Sequence, residues 1–171
     1  CTMPLPRIPS CLCCVPLLAL LIVPQAQSDR DGKSIAFVTR NLAKGSGNWF
    51  TYFKISSIKV PLKAGDALVY SVLLDPANPE AKGSIDFGFT DGSEEFRDRG
   101  LNDQFGVRAH GDGILKSAVG KWMTRKIDLS TLAGKTATDF TLCEEGDSFG
   151  RYVCFFKDIS ITHKDGTATK I

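Results

Sequence analysis

Histidine is scarce in this chain, with two among 171 residues. That leaves little room for a histidine metal site or a histidine-based catalytic triad. Excess charge is lacking too. Twenty-one Lys and Arg against nineteen Asp and Glu give a formal net charge of +2, with the basic residues scattered along the chain. The charge therefore gives no footprint for nucleic acid or for an anionic membrane. No Gly-x-Ser-x-Gly elbow, His-Glu-x-x-His, phosphate loop or dinucleotide fingerprint occurs, which removes the motif-borne hydrolase, zinc-protease and nucleotide classes. No segment carries an apolar stripe at helical spacing; Ser130–Lys135 supports one short turn at most. No apolar run reaches the roughly 20 residues a membrane-spanning helix needs.

The longest such run, Cys11 to Val23, has 13 residues. It follows Met3 and a single Arg7 and leads into Ala26-Gln27-Ser28, with small residues at −3 and −1 before Asp29. A basic start, a short apolar centre and a small-x-small exit form the pattern of a secretory signal peptide. The pattern predicts a signal peptide and overhang over 1–28 and a mature domain over 29–171. The product is then secreted, extracellular or periplasmic, and free of the membrane after cleavage.

What the mature chain does have is alternation with period two. Ile85, Phe87 and Phe89 share one face, as do Leu68, Tyr70, Val72 and Leu74, then Phe140 and Leu142, then Val153, Phe155, Ile159 and Ile161. Such rows mark half-buried strands. Asp91-Gly92, Asp112-Gly113 and Asp165-Gly166 supply tight turns, and Pro76 and Pro79 mark a loop. The spacing predicts an all-β fold: a two-sheet antiparallel β-sandwich or jelly roll of about eight strands.

Two cysteines remain after position 28. A hairpin centred on Ser148-Phe149 places Cys143 opposite Cys154, both on the face away from their strands' core rows. In an oxidising compartment this spacing predicts a cross-strand disulfide, with two buried thiols as the alternative.

Chemistry-bearing residues are few. Glu94/Glu95 and Glu144/Glu145 are adjacent, so on a strand each pair splits between opposite faces and makes no ready acid–base couple. Asp29-Arg30-Asp31-Gly32 offers hard oxygen ligands, but Val38 stands where an EF-hand needs glutamate. The long polar connection from Phe96 to His110 is the most distinctive stretch. Its Arg97, Asp98, Asp103, Gln104 and His110 suit directed hydrogen bonds to sugar hydroxyls; the alternative is a loop bonded to itself. Trp49, Tyr52, Trp122, Tyr152 and Phe156 are the rings on which a sugar's C–H face could stack, although core packing competes for each of them.

Several ordered stretches carry a resemblance. They are Asp91-Gly92-Ser93; Arg97-Asp98-x-Gly100-x-x-Asp103-Gln104-x-Gly106-Val107-x-x-His110; Gly120-Lys121-Trp122-x-x-Arg125-x-Ile127-Asp128-Leu129-Ser130-x-Leu132-Ala133-Gly134-Lys135; and Phe156-Lys157-Asp158-Ile159-Ser160-Ile161. Together, over roughly Ala64 to Gly166, they resemble the galactose-binding-like, carbohydrate-binding-module-like jelly rolls attached to secreted bacterial glycoside hydrolases. The resemblance implies a two-sheet sandwich and one structural calcium, for which Asp158 and Asp31 are the expected ligands. It implies a polysaccharide or glycan partner and an adjacent catalytic domain. The expected function is a non-catalytic carbohydrate-binding or substrate-targeting module. Its rivals are a structural sandwich that packs on a catalytic domain without binding sugar, and a jelly-roll glycoside hydrolase.

Overall fold

The β-branched and aromatic runs fold as strands, and Gly and Asp-Gly turns separate them. A computed structural model describes residues 25–28, 34–41, 49–77, 82–110, 118–146 and 150–171. Among these, ten strands and two short 3-10 helices, Phe96–Arg99 and Ser130–Leu132, make up the regular structure. The strands are β1 (Gln25–Ser28), β2 (Ile35–Asn41), β3 (Trp49–Ser56), β4 (Val60–Pro61) and β5 (Ala67–Leu74). They continue with β6 (Lys82–Phe89), β7 (Met123–Asp128), β8 (Thr136–Gly146), β9 (Gly150–Thr162) and β10 (Ala168–Lys170). The expected cleavage point before Asp29 falls at the end of β1.

Two antiparallel sheets stack face to face. The first runs β1-β2-β9-β5-β7, with β10 beside the far end of β9. The second is centred on β8, with β3 and β4 along one edge and β6 along the other. The alternating rows expected to face inward do so: Leu68, Tyr70, Val72, Leu74, Ile85, Phe87, Phe89, Phe140 and Leu142 are all buried in one core. Each large apolar side chain so placed stabilises the sandwich by roughly 1.5–3 kcal/mol.

β9 corrects the expected facing. Tyr152, Cys154 and Phe156 point into the core, not Val153 and Phe155: Phe156 lies opposite Val72, and Cys154 opposite Leu74 and Phe37. Ile159 and Ile161 then also point inward. The parity changes because the β5–β9 register slips between Val69 and Ser71. Asp158 takes up the extra residue in the left-handed region, at φ 54°. One residue inserted in a strand turns every later side chain to the other face. A similar slip in β8, with Asp139 at φ 52°, brings Ala137 into line with Phe140 and Leu142.

The predicted disulfide is corrected as well. β8 and β9 do not pair; they belong to different sheets. Cys143 lies opposite Tyr52 and Ser84. Both cysteines are buried free thiols.

A buried polar cluster crosses between the sheets. The buried Glu144 carboxyl of β8 accepts from Thr39 Oγ1 of β2 at 2.6 Å and from Cys154 Sγ of β9 at 3.3 Å. Burial pushes Glu144 up to about 7, and these two hydrogen bonds only partly oppose it. The Cys154 thiol is raised too, first by burial and then by Glu144.

Candidate functional site

Phe53 meets Phe37 across the core at 6.2 Å between ring centroids, so its neighbours on β3 face outward. The outer face of the second sheet is therefore built in rows. Phe50, Glu145 and Lys82 share one row; Tyr52, Cys143 and Ser84 the next; Lys54, Thr141 and Asp86 the third.

The Phe96–Arg99 helix is pinned at the margin of this face. Phe96 is buried and stacks on Phe87, with centroids 4.5 Å apart and planes 14° from parallel. Asp86 holds the helix by its start: Oδ1 accepts the backbone N–H of Phe87 at 2.8 Å and of Arg97 at 3.0 Å. The Arg97 guanidinium then lies 4.7 Å from the centre of the Tyr52 ring, a cation–π placement. Its Nη2 is 3.0 Å from Glu95 Oε2, and its Nε is 3.7 Å from Asp86 Oδ2.

Burial dominates the electrostatics. It pushes Asp86 up to about 6, against the two backbone N–H groups and Arg97. It pushes Tyr52 up to about 12, against the Arg97 charge. The Cys143 thiol between them is raised by burial and, next, by Asp86. This floor is therefore polar and largely buried: the thiol stays protonated, and Asp86 Oδ1 is taken by two backbone N–H groups.

Phe50 rises from that floor. It is 66% exposed, and its ring lies 5.5 Å from Tyr52 at 48°. His110 reaches the same row, with Nδ1 3.8 Å from Glu145 Oε1. The face thus combines an exposed ring, a second ring capped by a guanidinium, and charged groups of both signs.

Of the residues expected to bind, Arg97, Tyr52 and His110 are brought together here. Asp98 is exposed beside Arg97, at 3.5 Å from its Nε. Asp103 and Gln104 go elsewhere. Asp103 Oδ2 accepts from Arg125 Nε at 2.8 Å, and Oδ1 accepts from the backbone of Phe105 and Val107 at 2.9 Å each. Gln104 clamps β7, giving Nε2–H to the Thr124 carbonyl and accepting from Lys126 N, both at 2.6 Å. These two shape the loop, as the self-bonded alternative anticipated. Arg125, fully buried, completes that arrangement through Tyr70 Oη and the Val107 and Arg108 carbonyls.

Trp122 is exposed against the first sheet, with Lys157 Nζ 4.4 Å from its ring centre, and so stands apart from Tyr52. Trp49 opens β3, but its side chain lies outside the described residues, as does Asp31. Asp158 is the exposed bulge residue of β9. Among the described residues no three His, Cys, Asp or Glu side chains converge on one point.

Reading the sequence missed Phe50, Asp86, Lys82 and Glu145. Phe50 shares strand parity with Tyr52, and Asp86 alternates with Ile85 and Phe87; that was the available signal.

No family model and no curated protein matches the chain. Nine chains of known structure do. One is the crystal structure of the Spr0440 glycoside hydrolase domain, Endo-D, from Streptococcus pneumoniae R6. It is 18% identical with a TM-score of 0.54, and the match covers 81% of this chain and 20% of that one. This chain therefore spans about a fifth of that structure and shares a β fold with part of it.

Proposed function

We propose that this protein is a non-catalytic carbohydrate-binding module, and that the outer face of the second sheet is its glycan-binding surface. The observation that carries this is Phe50: a largely exposed ring on a polar floor, paired with Tyr52 and flanked by Arg97, Lys82 and Glu145. A sugar's apolar C–H face packs on such a ring while neighbouring polar groups meet its hydroxyls. Hydroxyls exchange water for protein at small net gain, so binding is weak and the ring supplies most of it. The shared fold with part of a glycoside hydrolase supports a carbohydrate context. The signal-peptide pattern suits export, where such modules work.

Spacing argues against Asp86 and Glu145 as a catalytic pair. Asp86 and Glu145 pair with β8 and β6 positions four residues apart. That separates them by ~13 Å along the strands, beyond the roughly 5–10 Å of a glycosidase pair.

The test is a polysaccharide screen followed by isothermal titration with the best ligand. Phe50→Ala removes about 50 Å² of apolar contact, worth on the order of 1.2 kcal/mol, and should weaken binding about 8-fold. Silence across plant, algal and bacterial polysaccharides would refute the proposal. Release of reducing sugar by the wild type would favour the hydrolase instead.

A further inference from the structure

A second recess lies away from that face, between the β4–β5 connection and the β9–β10 hairpin. It has a volume of about 460 Å³ and is lined by Lys59, Lys63, Lys164, Asp66, His163 and Thr169 among others. That volume lies within the range of small-ligand pockets, roughly 300–1,000 Å³.

Its acids are partly engaged: Asp66 Oδ1 is buried without a hydrogen bond among the described residues. Asp66 is buried; its Oδ2 accepts the Lys63 backbone N–H at 2.9 Å, and its Oδ1 faces His163 Nδ1 at 3.1 Å. Asp165 Oδ1 accepts from the Thr167 backbone N–H at 2.9 Å and hydroxyl at 2.6 Å, closing the hairpin turn. The three lysines are less so, with only the Lys63 charge felt by an acid there, Asp165. Among the described residues none of their ammonium groups makes a hydrogen bond or an ion pair. The recess is therefore cationic in what it offers a ligand.

It is also built. His163 is held by Thr169 Oγ1, 3.0 Å from Nε2, and its Nδ1 lies 3.1 Å from the buried Asp66 Oδ1. Gly65, at φ +90°, lies where a Cβ would stand 3.1 Å from the Cβ and Cδ of Lys164. A bare backbone there lets the Lys164 stem lie flat against the turn and limits where its ammonium goes. Val60, Pro61 and Ala64 supply an apolar wall.

We propose that this recess binds the anionic substituent, a carboxylate or a sulfate, of an acidic glycan, with Lys59, Lys63 and Lys164 as its counter-charges. The recognised chemistry is an anion on a sugar ring: the ammonium groups meet the charge and the apolar wall meets the ring. The ligand class rests on the carbohydrate reading above, but the site shares no residue with the Phe50 face.

The experiment titrates the whole chain with polygalacturonate, its neutral methyl ester and a sulfated galactan, at 20 mM and 500 mM salt. Exposed charge contacts are worth ~0.2–1 kcal/mol each. The double variant Lys63→Met/Lys164→Met should thus bind the anionic polymers about 2- to 30-fold more weakly at low salt, an effect that added salt screens away. Lys121→Met/Lys126→Met, with the same charge loss elsewhere, should bind like the wild type. Preference for polygalacturonate or for the sulfated polymer identifies the anion.

Equal losses in the two double variants would reduce the effect to net charge and overturn the proposal. So would anionic binding that disappears in Phe50→Ala but survives in Lys63→Met/Lys164→Met, or no preference for the acid over its methyl ester. Neutral-glycan binding that fails in the screen while polygalacturonate still binds at the recess would refute the Phe50 face alone.

Discussion

Replacing Glu144 by glutamine should make the protein more stable above neutral pH and leave it nearly unchanged in mild acid. Glu144 is fully buried between the sheets and, among the described residues, bonds to Thr39 and Cys154; no cation is among the groups that shift it. Its folded value is about 7 against an ordinary 4.5. The folded state therefore holds this proton more tightly than the unfolded chain does. The contribution is fully present below about 4.5, declines from there to about 7, and is lost above that. A rise of 2.5 units, at 1.36 kcal/mol per unit, amounts to about 3 kcal/mol of destabilisation at pH 8.5. Glutamine carries no charge at any pH and keeps an acceptor for Thr39. Urea unfolding followed by tryptophan fluorescence, at pH 5 and pH 8.5, gives the difference between variant and wild type. That difference should be small at pH 5 and about 3 kcal/mol in favour of glutamine at pH 8.5. A difference independent of pH would refute the reasoning, since it would mean that Glu144 is hydrated or paired when folded.

Arg125→Met should cost about 3–5 kcal/mol, because it strands the buried Asp103 carboxylate and two carbonyls; a thermal melt reads this, and a wild-type midpoint would count against the buried pair. Thiol alkylation after unfolding without reductant should label both Cys143 and Cys154, which peptide mapping can follow, whereas a cross-linked peptide pair would restore the disulfide expectation. Gly83→Ala puts a Cβ 2.8 Å from Cys154 Sγ, an overpacking that should cost about 1–3 kcal/mol. Adding Cys154→Ala should return part of that loss, and strictly additive effects of the two substitutions would contradict the contact.

The sandwich was legible because its core rows are long and clean: Ile85-Phe87-Phe89 and Leu68 to Leu74 are uninterrupted, so period two reports the buried face directly. β9 was misread because periodicity presumes an unbroken register, and nothing in Lys157-Asp158-Ile159 announces a left-handed residue. The disulfide failed for a related reason. Residue spacing around a short turn describes a hairpin, but β8 and β9 belong to different sheets and form no backbone ladder with each other. At the site, Tyr52 and Arg97 were visible as residue types, while their meeting depends on Asp86 and Phe96 fixing a 3-10 turn against β6. Asp103 looked equally suited to sugar until its partner Arg125 was placed, 22 positions away. A polar side chain's role is set by which bonds the fold leaves vacant, and sequence does not count them.

The bulge at Asp158 acts as a half-period phase shift in a strand of 13 residues. The segment before it turns even-numbered side chains inward, and the segment after it odd-numbered ones. A related sequence could exchange almost every residue here for another apolar or polar type and keep the fold. Dropping one position between Lys157 and Ile159 would instead trade interior for exterior along the rest of the strand. Length at this point is therefore under tighter constraint than composition, and comparisons that place a gap there would pair buried positions with exposed ones.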